Sequence, residues 1–272
     1  MGIRAVFGKI KRILLPSPKI YAKLVSVINE KLLEDKTVFV TGGGSGIGQA
    51  IAEKVIQSGG KVIISGRREE KLKEVCEKLG NNCRYIVFDI TKYNGDLTFF
   101  KELEKYFDTK ITNIVNNAGI YVTRPFGDYT SEDFDKVIST NLKAPFLITQ
   151  SYIKYCREEK LFGNIVFTAS NRALFGDIGP YGISKAGLVN AMYGFARESI
   201  KYGIRVNAVA PGMTASEINN RDVNGDLYTS GSRNNRVITP GEIAEIVAFL
   251  LGDASKCVTG AIIPCDEGDF LR

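Results

Sequence analysis

The sequence predicts an α/β domain in which one parallel, doubly wound sheet of seven strands is covered by helices on both faces. Short runs rich in β-branched residues alternate with stretches of helical periodicity along most of the 272 residues, a pattern typical of strand-helix-strand units with right-handed crossovers. The composition, 44% hydrophobic and 24% charged, is ordinary for a globular domain of this length. The predicted strands are TVFV (37–40), KVIISG (61–66), CRYIVFD (83–89), ITNIVNNAG (111–119), GNIVFTAS (163–170), GIRVNAVAPG (203–212) and GAIIPCD (260–266).

Between these strands, apolar residues recur at helical intervals. The helical stretches include IGQAIAEKVIQS after the first strand, REEKLKEVCEKLG after the second and SEDFDKVIST after the fourth. Residues 217–238 form the longest polar interval and lack clear periodicity. Because a long loop in a compact domain is either functional or mobile filler, we interpret 217–238 as a substrate lid and keep filler as the alternative.

Residues 1–35 are predicted to form a basic amphipathic extension that precedes the domain at 36–272. Residues 1–36 contain eight Lys or Arg and three acids, which accounts for +5 of the formal net charge of +6. The rest of the chain is therefore nearly neutral, and no basic surface for nucleic acid is expected. The extension is expected to dock on its own domain or on a sister subunit, with peripheral contact to an anionic membrane as the less favoured alternative.

Residue types that the sequence lacks exclude several functional classes. No apolar segment reaches the roughly 18 to 20 residues that cross a bilayer, so neither a signal peptide nor a spanning helix is expected. Five scattered cysteines without CxxC spacing predict reduced thiols in a cytoplasmic protein. The absence of histidine excludes a His general base, His-containing triads and the common His-containing zinc sites, and no metal site is predicted.

The stretch TGGGSGIG, residues 41–48, directly follows the first predicted strand. At this end of a doubly wound sheet, the following helix directs free N–H groups and a positive dipole at phosphate. Gly42 allows the tight exit from the strand, Gly46 lets the backbone approach a pyrophosphate, and Gly48 lets the helix pack close to the sheet. The spacing G-x-x-x-G-x-G matches neither the common dinucleotide fingerprint nor a P-loop. The turn alone therefore leaves open both nucleotide binding and a purely structural role.

Five motifs in register favour nucleotide binding. In chain order they are T-G-x-x-x-G-x-G at 41–48, N-N-A-G at 116–119, Ser170, Tyr181-x-x-x-Lys185 and Pro211-Gly212. In these motifs the chain resembles the compact single-domain branch of the short-chain dehydrogenase/reductases, and most closely the 3-oxoacyl-carrier-protein reductase type. The resemblance covers about residues 36–272. It implies a single Rossmann-type NAD(P)-binding domain and a homotetramer or homodimer formed through the helices at 141–160 and 181–202.

The resemblance also implies which residues contact the nicotinamide cofactor. They are Thr41, Gly42, Ser45, Gly46, Ile47 and Gly48 in the glycine turn, Arg67 and Arg68 after the second strand, Asp89 and Ile90 after the third, Asn117, Ala118 and Gly119 after the fourth, Tyr181 and Lys185, and Pro211, Gly212 and Ser216 after the sixth.

The end of the second strand predicts NADP(H) in preference to NAD(H). A carboxylate at this position would accept hydrogen bonds from the 2′-hydroxyl of NAD. The chain instead has Gly66 where the family's acid is expected, followed by Arg67 and Arg68. An arginine fork matches a 2′-phosphate, and Arg67 is the expected contact. The alternative is that both arginines are solvated residues at the start of the next helix.

Hydride transfer to a carbonyl requires a proton donor, and without histidine or metal the candidates are Tyr, Lys and acids. Tyr181 and Lys185 are four residues apart in an apolar helical stretch, so their side chains share one face. A neighbouring ammonium stabilises the phenolate, and together with the charge of the oxidised nicotinamide it is expected to lower the pKa of the tyrosine from about 10. The alternative is a packing aromatic and a surface lysine, which the accompanying Ser170 and glycine turn disfavour.

The resemblance assigns a role to each of these side chains. Tyr181 is implied to be the general acid/base, and Lys185 to lower its pKa and hold the nicotinamide ribose. Ser170 is implied to hydrogen-bond the substrate oxygen, and Asn141 to anchor a water relay to Lys185. The interval of 11 residues from Ser170 to Tyr181 is slightly shorter than is common in the family, and Asn-Arg follows Ser170 in place of small residues. A substrate pocket of uncommon shape is therefore expected.

The predicted function is hydride transfer between NADP(H) and a small-molecule carbonyl compound or secondary alcohol. The alternative is a non-catalytic NADP(H)-binding sensor or scaffold with the same fold. The set Asn141, Ser170, Tyr181 and Lys185 favours the enzyme, because a sensor has no physical need for it. Acyl chains, sugars, steroids and small ketones all remain open as substrates.

Overall fold

Seven parallel strands form one sheet in the computed structural model, which describes residues 19–21, 31–215 and 225–271. The strand order is β3-β2-β1-β4-β5-β6-β7, and every neighbouring pair is parallel. The strands are β1 (Thr37–Thr41), β2 (Lys61–Gly66), β3 (Cys83–Val87), β4 (Asn113–Asn116), β5 (Asn164–Thr168), β6 (Arg205–Pro211) and β7 (Ile262–Cys265). The predicted doubly wound sheet is confirmed.

Seven α-helices of the described residues connect and cover these strands. They are α1 (Gly46–Gln57), α2 (Glu69–Leu79), α3 (Phe99–Glu104), α4 (Ser131–Ile138), α5 (Ala144–Glu158), α6 (Pro180–Ser199) and α7 (Pro240–Leu251). A π-helical segment, Ser139–Lys143, joins α4 to α5 without a break. Two helices begin with a capping box, Thr130 with Asp133 in α4 and Thr239 with Glu242 in α7, which satisfies backbone N–H groups that the helix itself leaves unpaired.

Alternate residues of the strands pack against opposite helix layers. On one face, Phe39 and Ile114 belong to a core shared with α3, α5 and α6. On the other face, Val38 and Val115 belong to a core shared with α1, α2 and α7. Because successive side chains of a strand point to opposite faces, a sheet buried on both sides requires apolar residues at every position. This requirement explains the continuous apolar runs that identified the strands in the sequence.

The chain changes direction across the sheet at β1. From β1 the chain moves outward to β2 and β3, whereas β4 lies on the other side of β1 and leads to β5, β6 and β7. Connections that diverge from neighbouring strands leave a crevice at the carboxyl ends of those strands. The turn at 41–48 leaves β1 at this crevice and leads into α1.

The predicted lid, 217–238, lies partly outside the described residues, which resume at 225. From there the backbone turns back on itself, with Val237 N donating to Leu227 O at 2.9 Å, and Ile238 N donates to Met213 O at 2.8 Å beyond β6. The lid segment also contacts the described part of the predicted N-terminal extension, because Leu227 N donates to Ile20 O at 2.9 Å. The rest of that extension before Lys31 lies outside the described residues, so its docking remains a prediction.

The described residues contain no helix long and apolar enough to cross a bilayer.

Side chains from three neighbouring strands bind the C-terminal end of α7. Asn113 Nδ2 donates to Leu251 O at 2.9 Å, and Asn164 Nδ2 donates to Leu250 O at 2.6 Å. Arg205 Nη2 donates to Gly252 O at 3.2 Å, while its Nη1 donates to two further carbonyls of the turn after α7. These carbonyls have no partner within the helix, so the three side chains replace the hydrogen bonds that water would otherwise supply.

We predict that Arg205→Met lowers the free energy of unfolding by about 2 kcal/mol, because the part-buried hydrogen bonds from its guanidinium to three carbonyls are lost together. Urea unfolding followed by circular dichroism measures the change. The matched control is Arg197→Met, whose guanidinium lies on the surface with the side chain 79% exposed and which should change stability by less than about 0.5 kcal/mol. Equal effects of the two substitutions would contradict the assignment.

Candidate active site

A cleft of about 940 Å³ lies at the carboxyl ends of the central strands. The predicted site residues that line it are Gly42, Ser45, Gly46, Ile47, Arg67, Arg68, Asp89, Ile90, Asn117, Ala118, Gly119, Ser170, Tyr181, Lys185, Pro211 and Gly212. Three other predicted residues, Thr41, Gly48 and Asn141, are buried and do not line the cleft. Ser216, the remaining one, lies outside the described residues.

The glycine turn brings backbone rather than side chains to the cleft. Gly42 has a φ of +70° and Gly46 a φ of +55°, conformations that strain any residue with a Cβ. A Cβ at Gly48 would lie 2.2 Å from the carbonyl oxygen of Gly42, so only glycine permits the approach of α1 to the turn. Gly48 therefore acts through packing, not through contact with a ligand.

The N-terminal end of α1 fits a pyrophosphate. Ser45 precedes the helix, and its side chain caps none of the first-turn N–H groups. The first turn also contains no acidic residue, in contrast to the capping boxes of α4 and α7. Gly46 and Ile47, which line the cleft, thus present N–H groups and the positive end of the helix dipole without a competing carboxylate.

Thr41 joins the glycine turn to the segment that follows β4. Its Oγ1 accepts hydrogen bonds from the backbone N–H groups of Asn117 and Ala118, both at 3.0 Å. Asn117 Nδ2 in return donates to Thr41 O at 3.1 Å and to Gly42 O at 3.3 Å. Thr41 therefore lies behind the wall of the cleft, where it positions two segments that do face the cleft.

Basic residues are clustered at the carboxyl end of β2. Arg67 and Arg68 are exposed and line the cleft beside Gly66, and Arg68 Nη2 donates to Ser45 Oγ at 3.3 Å. Lys71 lines the same wall, although sequence reasoning did not identify it. The available signal was a third basic residue in the first turn of α2, which directly follows the two arginines.

Asp89 lies on the same side of the cleft, after β3. Its Oδ1 accepts hydrogen bonds from Thr91 N at 3.0 Å and from Thr91 Oγ1 at 2.7 Å. The hydrogen bond from the Thr91 side chain is the main cause that lowers the pKa of Asp89 below its usual value. Asp89 thus remains an ionised acceptor at neutral pH.

Tyr181 and Lys185 lie on one face of α6 at the inner end of the cleft. Lys185 is only 4% exposed, and its Nζ donates to Thr168 O at 2.7 Å and lies 5.8 Å from the centroid of the Tyr181 ring. Burial lowers the pKa of Lys185 to about 8, because an apolar environment disfavours the charged ammonium.

The pKa of Tyr181 is raised, which differs from the expected lowering by Lys185. Burial is the largest cause and raises the pKa, while a hydrogen bond with Ser170 acts in the opposite direction. The physical reason is that an ionised phenolate loses its hydration in the cleft, whereas Lys185 is itself destabilised as a cation there. The neutral phenol is therefore the favoured form of Tyr181 at neutral pH.

Asn141 occupies the π-helical segment between α4 and α5. The side chain is completely buried; its Nδ2 donates to Ile120 O at 2.9 Å and its Oδ1 accepts from Ile120 N at 2.9 Å. A Cβ at Gly119 would lie 3.3 Å from Asn141 Oδ1 and 3.5 Å from Lys185 Nζ. The two side chains thus approach the same point beside Gly119, and the wider π turn is what directs the carboxamide inward.

The wall next to Tyr181 contains residues that sequence reasoning did not assign to the site. Tyr121 packs edge-on against Tyr181, with ring centroids 5.0 Å apart. Arg172 N donates to Ser170 Oγ at 3.2 Å, and Arg172 Nη1 donates to Asp177 Oδ2 at 3.3 Å. The unusual Asn-Arg after Ser170 was visible in the sequence, but its ion pair with the shortened loop was not.

Asp266, after β7, positions the segment that carries Ser170. The carboxylate is buried and accepts hydrogen bonds from Asn171 Nδ2 at 3.1 Å and from Phe270 N at 2.8 Å. The preceding residue, Cys265, accepts from Gly212 N at 3.1 Å. The turn after β7 therefore connects the segment after β5, at Asn171, with the segment after β6, at Gly212. No sequence motif indicated this role of Asp266.

We predict that Lys185→Met makes the nucleotide-free protein more stable at pH 7, by about 2 kcal/mol after allowance for the lost hydrogen bond to Thr168. The folded pKa of about 8 lies below the ordinary value of 10.5, so the unfolded chain binds more protons between these values and wild-type stability rises with pH across this range. Below pH 8, Lys185 is protonated in both the folded and the unfolded state, so burial of the ammonium lowers the free energy of unfolding by its full amount. Above pH 10.5 the advantage of the variant should disappear.

Urea unfolding at neutral and alkaline pH measures this difference. Lys201→Met is the matched control, since that side chain is 59% exposed and its removal should change stability little. A Lys185→Met variant less stable than wild type at pH 7 would show that the buried ammonium is not destabilising.

Comparison with known proteins extends the resemblance seen in the motifs. A family model described as short chain dehydrogenase matches residues 36–226. The chain is 34% identical over 243 residues to the 3-oxoacyl-[acyl-carrier-protein] reductase FabG of Rickettsia bellii, which covers 88% of this chain and 98% of that protein. It is 32% identical over 247 residues to the NADP-dependent (R)-specific alcohol dehydrogenase of Lentilactobacillus kefiri, covering 87% and 97% of the two chains.

Solved structures agree with these relatives. The 3-ketoacyl-(acyl-carrier-protein) reductase from Brucella melitensis, complexed with NADH, superposes with a TM-score of 0.79 at 25% identity and covers 88% of this chain and 99% of its own. The matches span nearly the whole length of the relatives, and the fold is the same. This chain is therefore a member of the short-chain dehydrogenase/reductases, a family of NAD(P)-binding oxidoreductases.

Proposed function

We propose that the protein transfers a hydride between NADP(H) and a carbonyl compound or secondary alcohol. One observation carries this proposal: Tyr181, Lys185 and Ser170 line the same cleft as the uncapped glycine turn. A protein that only bound the nucleotide would need the turn and not the proton-transfer groups.

Tyr181 and Ser170 act on the oxygen of the substrate in this proposal. The nicotinamide supplies the hydride chemistry, and the Tyr181 hydroxyl gives a proton to the alkoxide that develops during reduction. Ser170 Oγ already accepts a hydrogen bond from Arg172 N at 3.2 Å, so its hydroxyl hydrogen is left to donate to the substrate oxygen or to Tyr181. The same groups accept and return the proton when an alcohol is oxidised.

Lys185 and Asn141 act behind the phenol. With a pKa of about 8, Lys185 is mostly protonated at neutral pH, and its charge stabilises the phenolate that forms after proton transfer. The Thr168 carbonyl occupies one of its three N–H donors, which leaves others for the nicotinamide ribose. The approach of Asn141 Oδ1 to the same point beside Gly119 supports a water relay that returns the proton.

The cofactor preference rests on charge at the end of β2. Arg67, Arg68 and Lys71 line the cleft there, and Gly66 stands in place of a carboxylate that would accept bonds from a 2′-hydroxyl. Three cations in one corner match a 2′-phosphate far better than a neutral ribose. The relative from Lentilactobacillus kefiri is named as NADP-dependent, whereas the Brucella melitensis structure contains NADH, so the relatives do not decide the preference.

A homo-oligomer is proposed from the outer faces of α5 and α6. Phe146 on α5 and Ile183 and Tyr193 on α6 are large apolar side chains that remain exposed in the single chain. Exposed apolar side chains on neighbouring helices favour burial against a second copy, and the mass in solution tests this proposal. The N-terminal extension at 1–35, the lid role of 217–238 and the cytoplasmic location remain proposals of the same kind.

The alternative is an NADP(H)-binding sensor or scaffold without turnover. It would share the glycine turn and the basic corner at β2, and it would bind NADPH equally well. The two proposals differ only in consumption of NADPH with a carbonyl substrate.

We predict that Tyr181→Phe lowers turnover roughly 10² to 10⁴-fold, because the proton donor is lost, while NADPH binding is nearly unchanged. The measurement is NADPH consumption with a panel of 3-oxoacyl esters, small ketones and sugars, alongside NADPH titration by fluorescence. Tyr106→Phe, exposed and outside the cleft, is the matched control and should retain wild-type turnover. Normal turnover by Tyr181→Phe would overturn the mechanism, and wild-type binding without consumption of NADPH on any substrate would favour the sensor.

We predict that replacing both Arg67 and Arg68 with Ala weakens NADPH binding roughly 10- to 100-fold, as expected for lost charge-assisted hydrogen bonds to a phosphate. NADH binding should change little, since NADH lacks that phosphate. Lys78→Ala is the control, because Lys78 lies at the far end of α2 and pairs with Glu53. If wild type binds NADH as tightly as NADPH, or if the double variant weakens both equally, the preference for NADP(H) is wrong.

A further inference from the structure

Cys76 and Cys83 form a thiol pair at one edge of the sheet, away from the cleft. Cys76 lies in the last turn of α2 and Cys83 is the first residue of β3. Their Sγ atoms are 2.7 Å apart, closer than two sulfur atoms without an interaction would approach and not far beyond the about 2.05 Å of a disulfide bond. Neither residue lines the cleft, so the proposed hydride transfer does not use them.

The fold itself holds the two sulfur atoms together. After α2, a short 3₁₀ turn at Gly80–Asn82 reverses the chain, and β3 then starts alongside the last turn of the helix. Cys83 pairs with Val62 of β2 in the sheet, which fixes its backbone from the other side. Formation of a bond between the sulfurs therefore requires no rearrangement of the elements that carry them.

The two thiols are chemically unequal. Cys83 is 2% exposed, whereas Cys76 is only partly buried. A hydrogen bond with Cys83 lowers the pKa of Cys76, and the positive charge of Arg84 acts in the same direction. The same hydrogen bond, together with burial, raises the pKa of Cys83. A more exposed thiol with a lowered pKa, in contact with a buried partner thiol, is the arrangement of a reactive cysteine with a resolving cysteine.

We propose that Cys76 and Cys83 are an oxidation site, which a peroxide converts reversibly into an intramolecular disulfide. The Cys76 thiolate attacks a peroxide oxygen, the O–O bond breaks, and Cys76 becomes a sulfenic acid with release of hydroxide, or of an alkoxide from an organic peroxide. The Cys83 sulfur then attacks the Cys76 sulfur, and the S–O bond breaks with loss of water that carries away the Cys83 proton. With hydrogen peroxide, two thiols lose two electrons and two protons in total, and the oxidant becomes two molecules of water.

The disulfide joins the end of α2 to the edge strand β3. It constrains a short loop in the unfolded chain, and the expected result is a melting temperature roughly 4 to 8 °C higher in the oxidised protein. Arg68 and Lys71 lie at the opposite end of α2, so nucleotide binding should be unaffected. Oxidation also protects Cys76 from irreversible conversion to the sulfinic acid.

The test treats the reduced full-length protein with hydrogen peroxide and counts thiols after denaturation. We expect wild type to lose two of its five thiols, to yield a linked peptide of residues 76 and 83 by mass spectrometry without reduction, and to regain all thiols with dithiothreitol. Cys257→Ser is the matched control, since Cys257 is exposed elsewhere on the chain, and it should form the same link.

Two variants separate the roles of the thiols. In Cys83→Ser the sulfenic acid of Cys76 should persist long enough to be trapped by dimedone and should then proceed to the sulfinic acid. Cys83→Ala keeps an apolar side chain at this buried position, and it replaces Cys83→Ser in the experiment if Cys83→Ser does not fold. In Cys76→Ser, Cys83 should remain reduced. Retention of all five thiols by wild type, absence of the linked peptide, or equal conversion of Cys76 to the sulfinic acid in wild type and Cys83→Ser would each overturn the proposal.

Discussion

The hydrogen bonds of Thr41 with the segment after β4 are the interaction on which the site depends. β1 and β4 are neighbours whose connections leave in opposite directions, so nothing in the local chain fixes the glycine turn relative to Asn117 and Ala118. Thr41 Oγ1 accepts from both backbone N–H groups, and Asn117 returns two bonds to the turn. This reciprocal set continues the pairing of β1 with β4 beyond the ends of the two strands, at the crevice. The glycine turn after β1 and the segment after β4, which line different parts of the cleft, are thereby held in fixed positions relative to each other.

Two buried lysines have different partners, one a carboxylate and the other a neutral carbonyl. Lys54 of α1 pairs with Glu245 of α7 at 2.8 Å, with both side chains largely shielded, so its charge is neutralised where the two helices pack. Lys185 is equally buried but donates to the neutral carbonyl of Thr168, and its charge remains available to a neighbouring phenol or ligand. An unneutralised buried cation costs stability. Such a cost is typical of groups held for function, in contrast to the structural ion pair.

The sequence was sufficient to predict elements and motifs that depend on neighbouring residues, but not contacts between distant ones. All seven strands and the glycine turn followed from apolar runs and spacing, because burial on both faces demands such runs. The π turn that carries Asn141 has no signature in STNLK, and the buried hydrogen bonds of Asn141 are to Ile120 and Ser184, which are distant in sequence. Asp266 contacts Asn171 across 95 positions, and only the completed sheet brings the two together. The burial that raises the pKa of Tyr181 is likewise a property of the whole fold, which the spacing of Tyr181 and Lys185 does not show.

The short loop before α6 gives the proton-transfer end its individual character. Asp177 Oδ1 accepts a hydrogen bond from Gly179 N at 2.9 Å. Asp177 also lies so close to α6 that a Cβ added at Gly182 would be 2.3 Å from the Cβ of Asp177. In this position, Asp177 Oδ2 accepts a hydrogen bond from Arg172 Nη1. Burial raises the pKa of Tyr181, and the Ser170 hydrogen bond and the Arg172 charge oppose that rise, while Asp177 partly cancels the effect of Arg172. The ion pair of Arg172 with Asp177 therefore lies beside the phenol that we propose as the proton donor, and its two charges act on the pKa of that phenol in opposite directions.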